Sequence, residues 1–259
     1  MNRLTAILIT LNEERNLPRA LDSLAGLPDE ILVVDAGSTD RTREIARQRG
    51  ARVIQHAWKD YSDQRNFAAA QAAHDWILAI DADEELSPEL RASLLAWKQQ
   101  PASQAAYEFP RRARYLGKWI RHSGWYPDHK TRLYDRRRAR FVGVVHEAVQ
   151  ADGSVGRLRG DLFHYTHESL DVHRTKLEAY TTIAAEQSFQ QGKRRWLLPA
   201  LLLSPWTLLQ KLVFRAGWLD GWRGILIAWM AARGVYLKFR KLGKLVKRRK
   251  RDRNDSAVR

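Results

Sequence analysis

The sequence predicts an α/β fold with a helical appendage, and three features carry that prediction. Over the first hundred residues, apolar strand-like runs alternate with amphipathic helical stretches, the order that builds a parallel or mixed sheet with helices on both faces. The run Trp76-Ile77-Leu78-Ala79-Ile80 ends abruptly in Asp81-Ala82-Asp83-Glu84-Glu85. Ligands of open α/β sheets bind beyond the carboxyl ends of strands, so these acids mark the expected mouth of a site. Beyond about residue 190 the composition shifts to tryptophan, aliphatic runs and basic residues.

Leu4 to Leu11 reads as the first strand, with Asn12 as N-cap of a helix carrying Leu17, Leu21 and Leu24 on one face. Ile31 to Asp35 is the second strand, after which Gly37-Ser38-Thr39-Asp40 turns into a helix that stops at Gly50. Arg52 to Gln55 is a short third strand, Ser62 to Ala73 a helix, and Asp75 to Ile80 the fourth strand. Ser87-Pro88-Glu89 reads as an N-cap with proline at the first helical position. No Gly-x-Gly-x-x-Gly fingerprint follows the first strand, which disfavours a dinucleotide fold.

From about Gln104 to Thr166 the pattern becomes short strands and loops. Arg111 to Arg140 carries eleven basic residues among Tyr115, Trp119, Trp125, Tyr126 and Tyr134, either an acceptor site for a phosphorylated sugar or a solvated surface. Glu168 to Gln191 reads as a helix. Trp196 to Phe239 then holds five of the ten tryptophans and the aliphatic runs Leu197 to Leu203 and Ile225 to Ala232. Neither run approaches the ~20 apolar residues that cross a bilayer, and Pro199, Pro205, Arg215, Arg223 and Arg233 interrupt them. Helices lying in a membrane interface fit better, with a helical hairpin packed on the domain as the alternative. The expected division is a domain over residues 1–190, split near residue 100 into nucleotide-binding and acceptor halves, an interfacial region over 191–243, and a disordered basic tail over 244–259.

At 259 residues and 44% hydrophobic content the chain can bury a real core. It has no cysteine, which excludes disulfides and thiolate metal sites and fits a reducing compartment. The apolar stretch near Met1 is too short for a leader or a spanning helix, so the catalytic part is expected in the cytoplasm, on the inner face of the cytoplasmic membrane. A net charge of +16 suggests a nucleic-acid binder until its distribution is examined. Residues 190–253 hold 17 Lys and Arg against Asp220 and Asp252, whereas residues 1–189 hold 27 basic against 26 acidic. Ten of those basic residues lie between Lys238 and Arg253, where each contributes about 1 kcal/mol toward anionic lipid. The charge belongs to the appendage and predicts an anionic membrane surface as partner, not nucleic acid.

Asp81 and Asp83 are two residues apart, so in extended geometry their carboxylates share a face and can converge on one cation. Hard oxygen donors suit magnesium or manganese, commonly held by one or two carboxylates plus substrate phosphates. The competing explanation is a strand end followed by the solvated start of a helix.

Three ordered elements give the chain a family resemblance: Leu4-Thr5-Ala6-Ile7-Leu8-Ile9-Thr10-Leu11-Asn12-Glu13-Glu14, Val33-Val34-Asp35-Ala36-Gly37-Ser38-Thr39-Asp40, and Asp81-Ala82-Asp83. It resembles the inverting family 2 glycosyltransferases of the GT-A fold, whose Rossmann-like domain binds a nucleotide sugar. Asp63-Gln64-Arg65-Asn66-Phe67-Ala68, Lys130-Thr131-Arg132-Leu133-Tyr134, Val145-His146-Glu147, His164-Tyr165-Thr166 and Gly217-Trp218-Leu219-Asp220-Gly221 resemble the branch of lipopolysaccharide core glucosyltransferases, covering residue 4 to about 243. The resemblance implies a uridine diphosphate sugar as donor, a divalent metal, inversion at the anomeric carbon and a lipid-linked saccharide acceptor. It implies that Asp35 contacts the uridine, that the Asp40 region closes that pocket, that Asp83 ligates the metal, and that Asp81 binds the ribose or a metal-bound water. Ala36 departs from relatives that carry a second acid there. His164 stands where relatives place a metal or phosphate contact, or is an ordinary strand-end histidine.

Displacement at the anomeric carbon leaves charge on the departing diphosphate, which Arg65, Lys130 or Arg132 can meet. The acceptor hydroxyl needs a general base. Glu147, in the place of the family's later acidic motif, is the choice, with His146 as the alternative and Glu84 and Asp128 not excluded by sequence. Two other functions compete. A nucleotidyltransferase shares α/β architecture, but the chain lacks an evident glycine-rich, lysine-bearing triphosphate loop near its start. A non-catalytic basic binder leaves the clustered acids without a purpose.

Overall fold

The computed structural model describes residues 1–143, 147–167 and 169–257. Its first half is built from β1 (Leu4–Thr10), α1 (Leu17–Leu24), β2 (Glu30–Asp35), α2 (Thr42–Gln48), β3 (Arg52–Gln55), α3 (Tyr61–Gln71), β4 (Trp76–Asp81), β5 (Glu84–Leu86) and α4 (Pro88–Lys98). Ten strands follow one sheet, with β6 (Ala106–Tyr115), β7 (Lys118–Trp119), β8 (Asp128–Asp135), β11 (Val155–Arg157) and β12 (Leu162–His167) completing it. β9 (Ala139–Val142) and β10 (Ala148–Ala151) form a separate antiparallel pair. The path runs β3-β2-β1-β4-β8-β6-β12-β5. β3, β2, β1 and β4 are parallel, and β8 lies antiparallel to both β4 and β6. The sheet is therefore mixed, as expected.

Alternation along the parallel strands divides the core. Leu4, Leu8, Val33, Leu78 and Ile80 pack with Leu17, Leu21 and Leu24 of α1. Ile7, Leu32, Val34, Ile77 and Ala79 pack with Ala68 and Ala69 of α3. Strands covered on both faces read as continuous apolar runs, which is why β1, β2 and β4 were visible in the sequence. Ser87 caps α4 by accepting the Leu90 amide at 3.1 Å, with Pro88 at the first helical position, as predicted. Asn12 is not a helix cap. It adopts a left-handed φ of 56° and its Oδ1 accepts the Thr39 amide at 2.8 Å, while α1 begins after Asn16. Asparagine tolerates that conformation through its short polar side chain.

Two compact units emerge, one comprising 1–113 with 127–165 and the other 114–126 with 166–259. The boundary is thus not at residue 190: α5 (Leu170–Gln190) joins α6 (Leu197–Leu209) and α7 (Trp222–Ala257) in the second unit, together with the hairpin segment that contains β7. Nor do residues 244–257 form the expected irregular tail, because α7 continues through them.

The expectation that prolines break the aliphatic run is also corrected. Leu197–Phe214 is one 18-residue helical stretch of mean hydropathy 1.5, only 6% buried, and by length and composition it is long and apolar enough to cross a bilayer. Pro199 falls in the first turn, where its missing N–H costs nothing. Pro205 sits inside α6, which then runs into a π-helical turn at Gln210–Phe214.

Candidate active site

The site is built at the carboxyl end of β4, where Asp81 and Glu84 share Arg132 while Asp83 and Glu85 take partners from β12. The chain turns at Ala82 and Asp83 instead of staying extended, so Asp81 and Asp83 are not fixed on one strand face. Asp81 accepts Arg65 at 2.6 Å on one oxygen and Arg132 at 2.7 Å on the other. Burial alone would raise its carboxyl, but Arg132 and Arg65 outweigh it and hold Asp81 well below the usual carboxylate range. Glu84 is fully buried, accepts the Asp81 amide at 3.0 Å and Arg132 at 3.1 Å, and lies 3.5 Å from Arg111. A carboxylate so enclosed cannot reach an acceptor hydroxyl, which removes it as a general base. Glu85 accepts the Tyr165 hydroxyl at 2.6 Å.

Asp83 lies 3.2 Å from His164 Nε2. The pairing follows from register: β12 runs antiparallel to β5 with His164 opposite Glu84, and the Tyr165 amide donates to the Asp83 carbonyl at 3.0 Å. Among the described residues no group of three or more His, Cys, Asp or Glu side chains converges as a metal cluster. The Asp83 carboxylate is a donor that fits manganese or magnesium when substrate phosphates and water complete the shell, and the imidazole beside it is tolerated better by manganese than by magnesium.

Arg65 enters from α3 and is buried with both ends engaged, one on Asp81 and the other on Glu147 at 2.8 Å. Arg132, also buried, has its guanidinium pushed down by desolvation and, more strongly, up by Asp81 and Glu84. Both are permanent cations that lock the carboxylates in place. Beside them opens a cavity of about 460 Å³ lined by Asp81, Arg111, Lys130, Arg132, Phe141 and Glu147, a volume within the range of small-molecule sites. Asp128 pairs with Arg111 at 2.9 Å and Lys130 at 3.0 Å. His146, the alternative base, lies outside the described residues.

The donor-side residues Asp35 and Asp40 order the turns at the ends of β1 and β2. Asp35 is fully buried, and its oxygens accept the Thr10 hydroxyl at 3.0 Å, the Gly37 amide at 3.2 Å, the Ser38 amide at 2.9 Å and the Ser38 hydroxyl. These bonds fix the turn after β2. Asp40 accepts the Thr42 amide at 3.0 Å and the Glu14 amide at 3.1 Å. Those bonds outweigh its slight burial and keep its carboxyl below the ordinary value.

Two residues escaped the sequence reading. Glu13 is held above its ordinary pKa by burial, opposed by Asn16, and further by the negative fields of Asp83, Asp40 and Asp81, which makes it a further acid near the β4 terminus. The signal was strand order: β1 lies beside β4 with Ile9 opposite Asp81. Arg111 was visible only as part of a basic run, although pairing opposite Asp128 places it at the cavity.

A mixed α/β sheet with acids and arginines gathered at the end of β4 is the arrangement that the resemblance to the GT-A glycosyltransferases led one to expect. The Glycosyl transferase family 2 model matches residues 5–157, and the chain belongs to that family. It is 30% identical to an uncharacterised glycosyltransferase of Rickettsia prowazekii, over 93% of this chain and 87% of that one. It is likewise 30% identical to the lipopolysaccharide core biosynthesis glycosyltransferase LpsC of Rhizobium meliloti, over 92% of this chain and 91% of that one. A solved structure of glucosyl-3-phosphoglycerate synthase from Mycobacterium tuberculosis, in complex with manganese and uridine diphosphate, matches 44% of each chain at 25% identity and a TM-score of 0.36. Family membership sets aside the nucleotidyltransferase and the non-catalytic binder.

Proposed function

We propose that this glycosyltransferase moves a hexose, glucose by resemblance, from a uridine diphosphate sugar to a lipid-linked saccharide of the lipopolysaccharide inner core, with inversion. The observation that carries the reading is the cavity in which Glu147 and Asp81 face Arg132 and Lys130, beside the Asp83–His164 pair. The similarity to a lipopolysaccharide core enzyme over nine-tenths of both chains supports the acceptor class.

In this scheme the acceptor hydroxyl attacks the anomeric carbon while its proton passes to a Glu147 carboxylate oxygen. The bond from that carbon to the diphosphate breaks, and the electron pair leaves with the diphosphate. Arg65 orients Glu147 through one nitrogen and Asp81 through another, while Lys130 and Arg132 face the accumulating negative charge. Asp83 and His164 would hold a magnesium or manganese ion, which supplies Lewis-acid stabilisation of the leaving diphosphate when bound. The turn ordered by Asp35 and Asp40 forms the nucleoside side.

The protein works at the cytoplasmic face of the inner membrane, held peripherally by α6 and the basic end of α7. The apolar stretch Leu197–Phe214 spans about 27 Å at helical rise, only just matching the ~30 Å hydrocarbon core, and it contains Lys211 and lies next to Arg215. An interfacial position accommodates both. The test is a panel of nucleotide sugars with manganese or magnesium, read as nucleoside diphosphate release with and without truncated core lipid. Acceptor-stimulated release from one uridine diphosphate sugar, abolished by chelator, is expected. Acceptor-stimulated release from a different nucleotide sugar would refute the donor assignment.

A further inference from the structure

The second unit contains a set of cations that no acid answers. Lys118 Nζ donates to the Asp220 carbonyl at 3.0 Å, Lys211 Nζ to the Ser123 carbonyl at 3.1 Å, and Arg223 Nε to the Leu116 carbonyl at 2.8 Å. Each spends a donor on a neutral backbone oxygen and pairs with no carboxylate among the described residues. Arg215 joins them: a Cβ placed on Gly124 would lie 3.8 Å from both Lys211 Nζ and Arg215 Cγ. The acid nearest in the fold, Asp220, is buried, and its carboxylate is consumed by the Arg121 and His122 amides and by His122 Nδ1.

The cluster is also rigidly seated. Ser123 is fully buried at a left-handed φ of 61°, and its hydroxyl has no hydrogen-bond partner among the described residues. A Cβ on Gly217 would come within 2.6 Å of the Lys211 carbonyl and the Ser123 hydroxyl, so only glycine permits this approach. Burial and the neighbouring Arg215 both lower the Lys211 ammonium below its ordinary value, the signature of a cation that lacks a counter-charge. Bordering the cluster are Phe214, Trp218 and Trp222, exposed by 67%, 59% and 56%. Aromatic side chains of that kind settle at headgroup depth.

We propose that Lys211 and Arg215, flanked by Lys118 and Arg223, form a seat for the phosphate of an anionic membrane lipid, with Phe214, Trp218 and Trp222 entering the bilayer around it. The inference rests on the peripheral membrane reading and sharpens it. The basic end of α7 supplies diffuse attraction to any negative surface, whereas this seat selects phosphate. A lipid headgroup is favoured over a free phosphate because the exposed aromatic and aliphatic side chains adjoin the cations and gain only when a bilayer covers them.

The experiment is flotation of the full chain with phosphatidylcholine vesicles carrying either phosphatidic acid or, at matched surface charge, oleate. The wild-type protein is expected to partition more strongly onto the phosphatidic acid vesicles. Arg215→Gln and the Lys211→Gln/Arg215→Gln double variant are expected to lose that preference, and the double variant also to bind both anionic vesicles about tenfold or more weakly given the attraction per basic residue. Arg215 is exposed and makes no side-chain hydrogen bond or ion pair among the described residues, so its variant folds as wild type does; a thermal melt checks the double variant. Equal partitioning of wild type onto both vesicle types, or a preference unchanged in Arg215→Gln and the double variant, would overturn the seat while leaving the membrane reading standing. No flotation of wild type on any vesicle overturns both. Competition by free glycerol phosphate at concentrations matching the headgroup overturns the lipid assignment.

Discussion

Replacing Arg132 with methionine tests whether the arginine lattice, and not the apolar core alone, holds the active site together. Arg132 is 6% exposed and spans Asp81 at 2.7 Å and the fully buried Glu84 at 3.1 Å. Breaking one partner of a buried ion pair typically costs about 3–5 kcal/mol, because the other charge is left uncompensated. Asp81 keeps Arg65, and Glu84 keeps the Asp81 amide and the more distant Arg111, so the lower end, about 3 kcal/mol, is expected. Adding Glu84→Gln removes the stranded charge and should recover about 2 kcal/mol, a coupling that only a double-mutant cycle isolates. Urea unfolding gives the free energies, and hydrogen exchange at the Asp81 amide gives a local readout, since that amide donates to Glu84. A loss below about 1 kcal/mol in the single variant, or a double variant no more stable than the single, would refute the reasoning.

Glu147→Gln should lower kcat by about 100-fold or more while leaving donor affinity near wild type, as expected for loss of a general base; retained turnover in a kinetic assay would remove Glu147 from that role. Asp83→Asn should weaken apparent manganese affinity by about tenfold or more with the melting temperature little changed, because Asp83 is half-exposed and among the described residues its ion pair is with His164 alone. Deleting residues 238–259 should release the protein from anionic vesicles at moderate salt, and unchanged flotation would refute the polybasic contribution. Burial and Lys176 hold the His173 imidazole below its ordinary 6.5. As pH falls through that value the unfolded chain takes up the proton first, so the stability contribution is complete above about pH 6.5 and is lost below it. His173→Gln should flatten that part of the melting-temperature profile, and an identical slope in both proteins would contradict it.

How legible the fold was depended on whether pairing was local. β1, β2 and β4 announced themselves because each is apolar on both faces and each is followed by a helix or a tight turn. The later strands carry more charge, and β8 pairs far away in sequence by inserting between β4 and β6. No periodicity announces such insertion. The same limit governed the site. Asp81, Asp83, Arg65, Arg132 and Glu147 were singled out from motifs, but that Arg65 bridges Asp81 to Glu147 depends on a contact spanning 82 residues. Pro199 and Pro205 misled for a different reason: a proline near a helix start is neutral, and one further in can be absorbed by a π-helical turn.

The lattice at β4 also bears on how the enzyme can act at all. Arg65 and Arg132 are buried and committed to carboxylates before any substrate arrives, so neither is a mobile cation that swings onto the donor. Their value lies in being fixed: charges already oriented in a low-dielectric pocket stabilise developing negative charge without reorganising at the moment of reaction. Lys130 is more exposed than either arginine, and among the described residues its ion pair is with the half-exposed Asp128. Substrate contacts should accordingly be shared between a rigid pair that sets the field and a more exposed lysine that closes on the diphosphate. Lys130→Gln would then raise the donor KM more than it lowers kcat, and Arg132 variants would do the reverse.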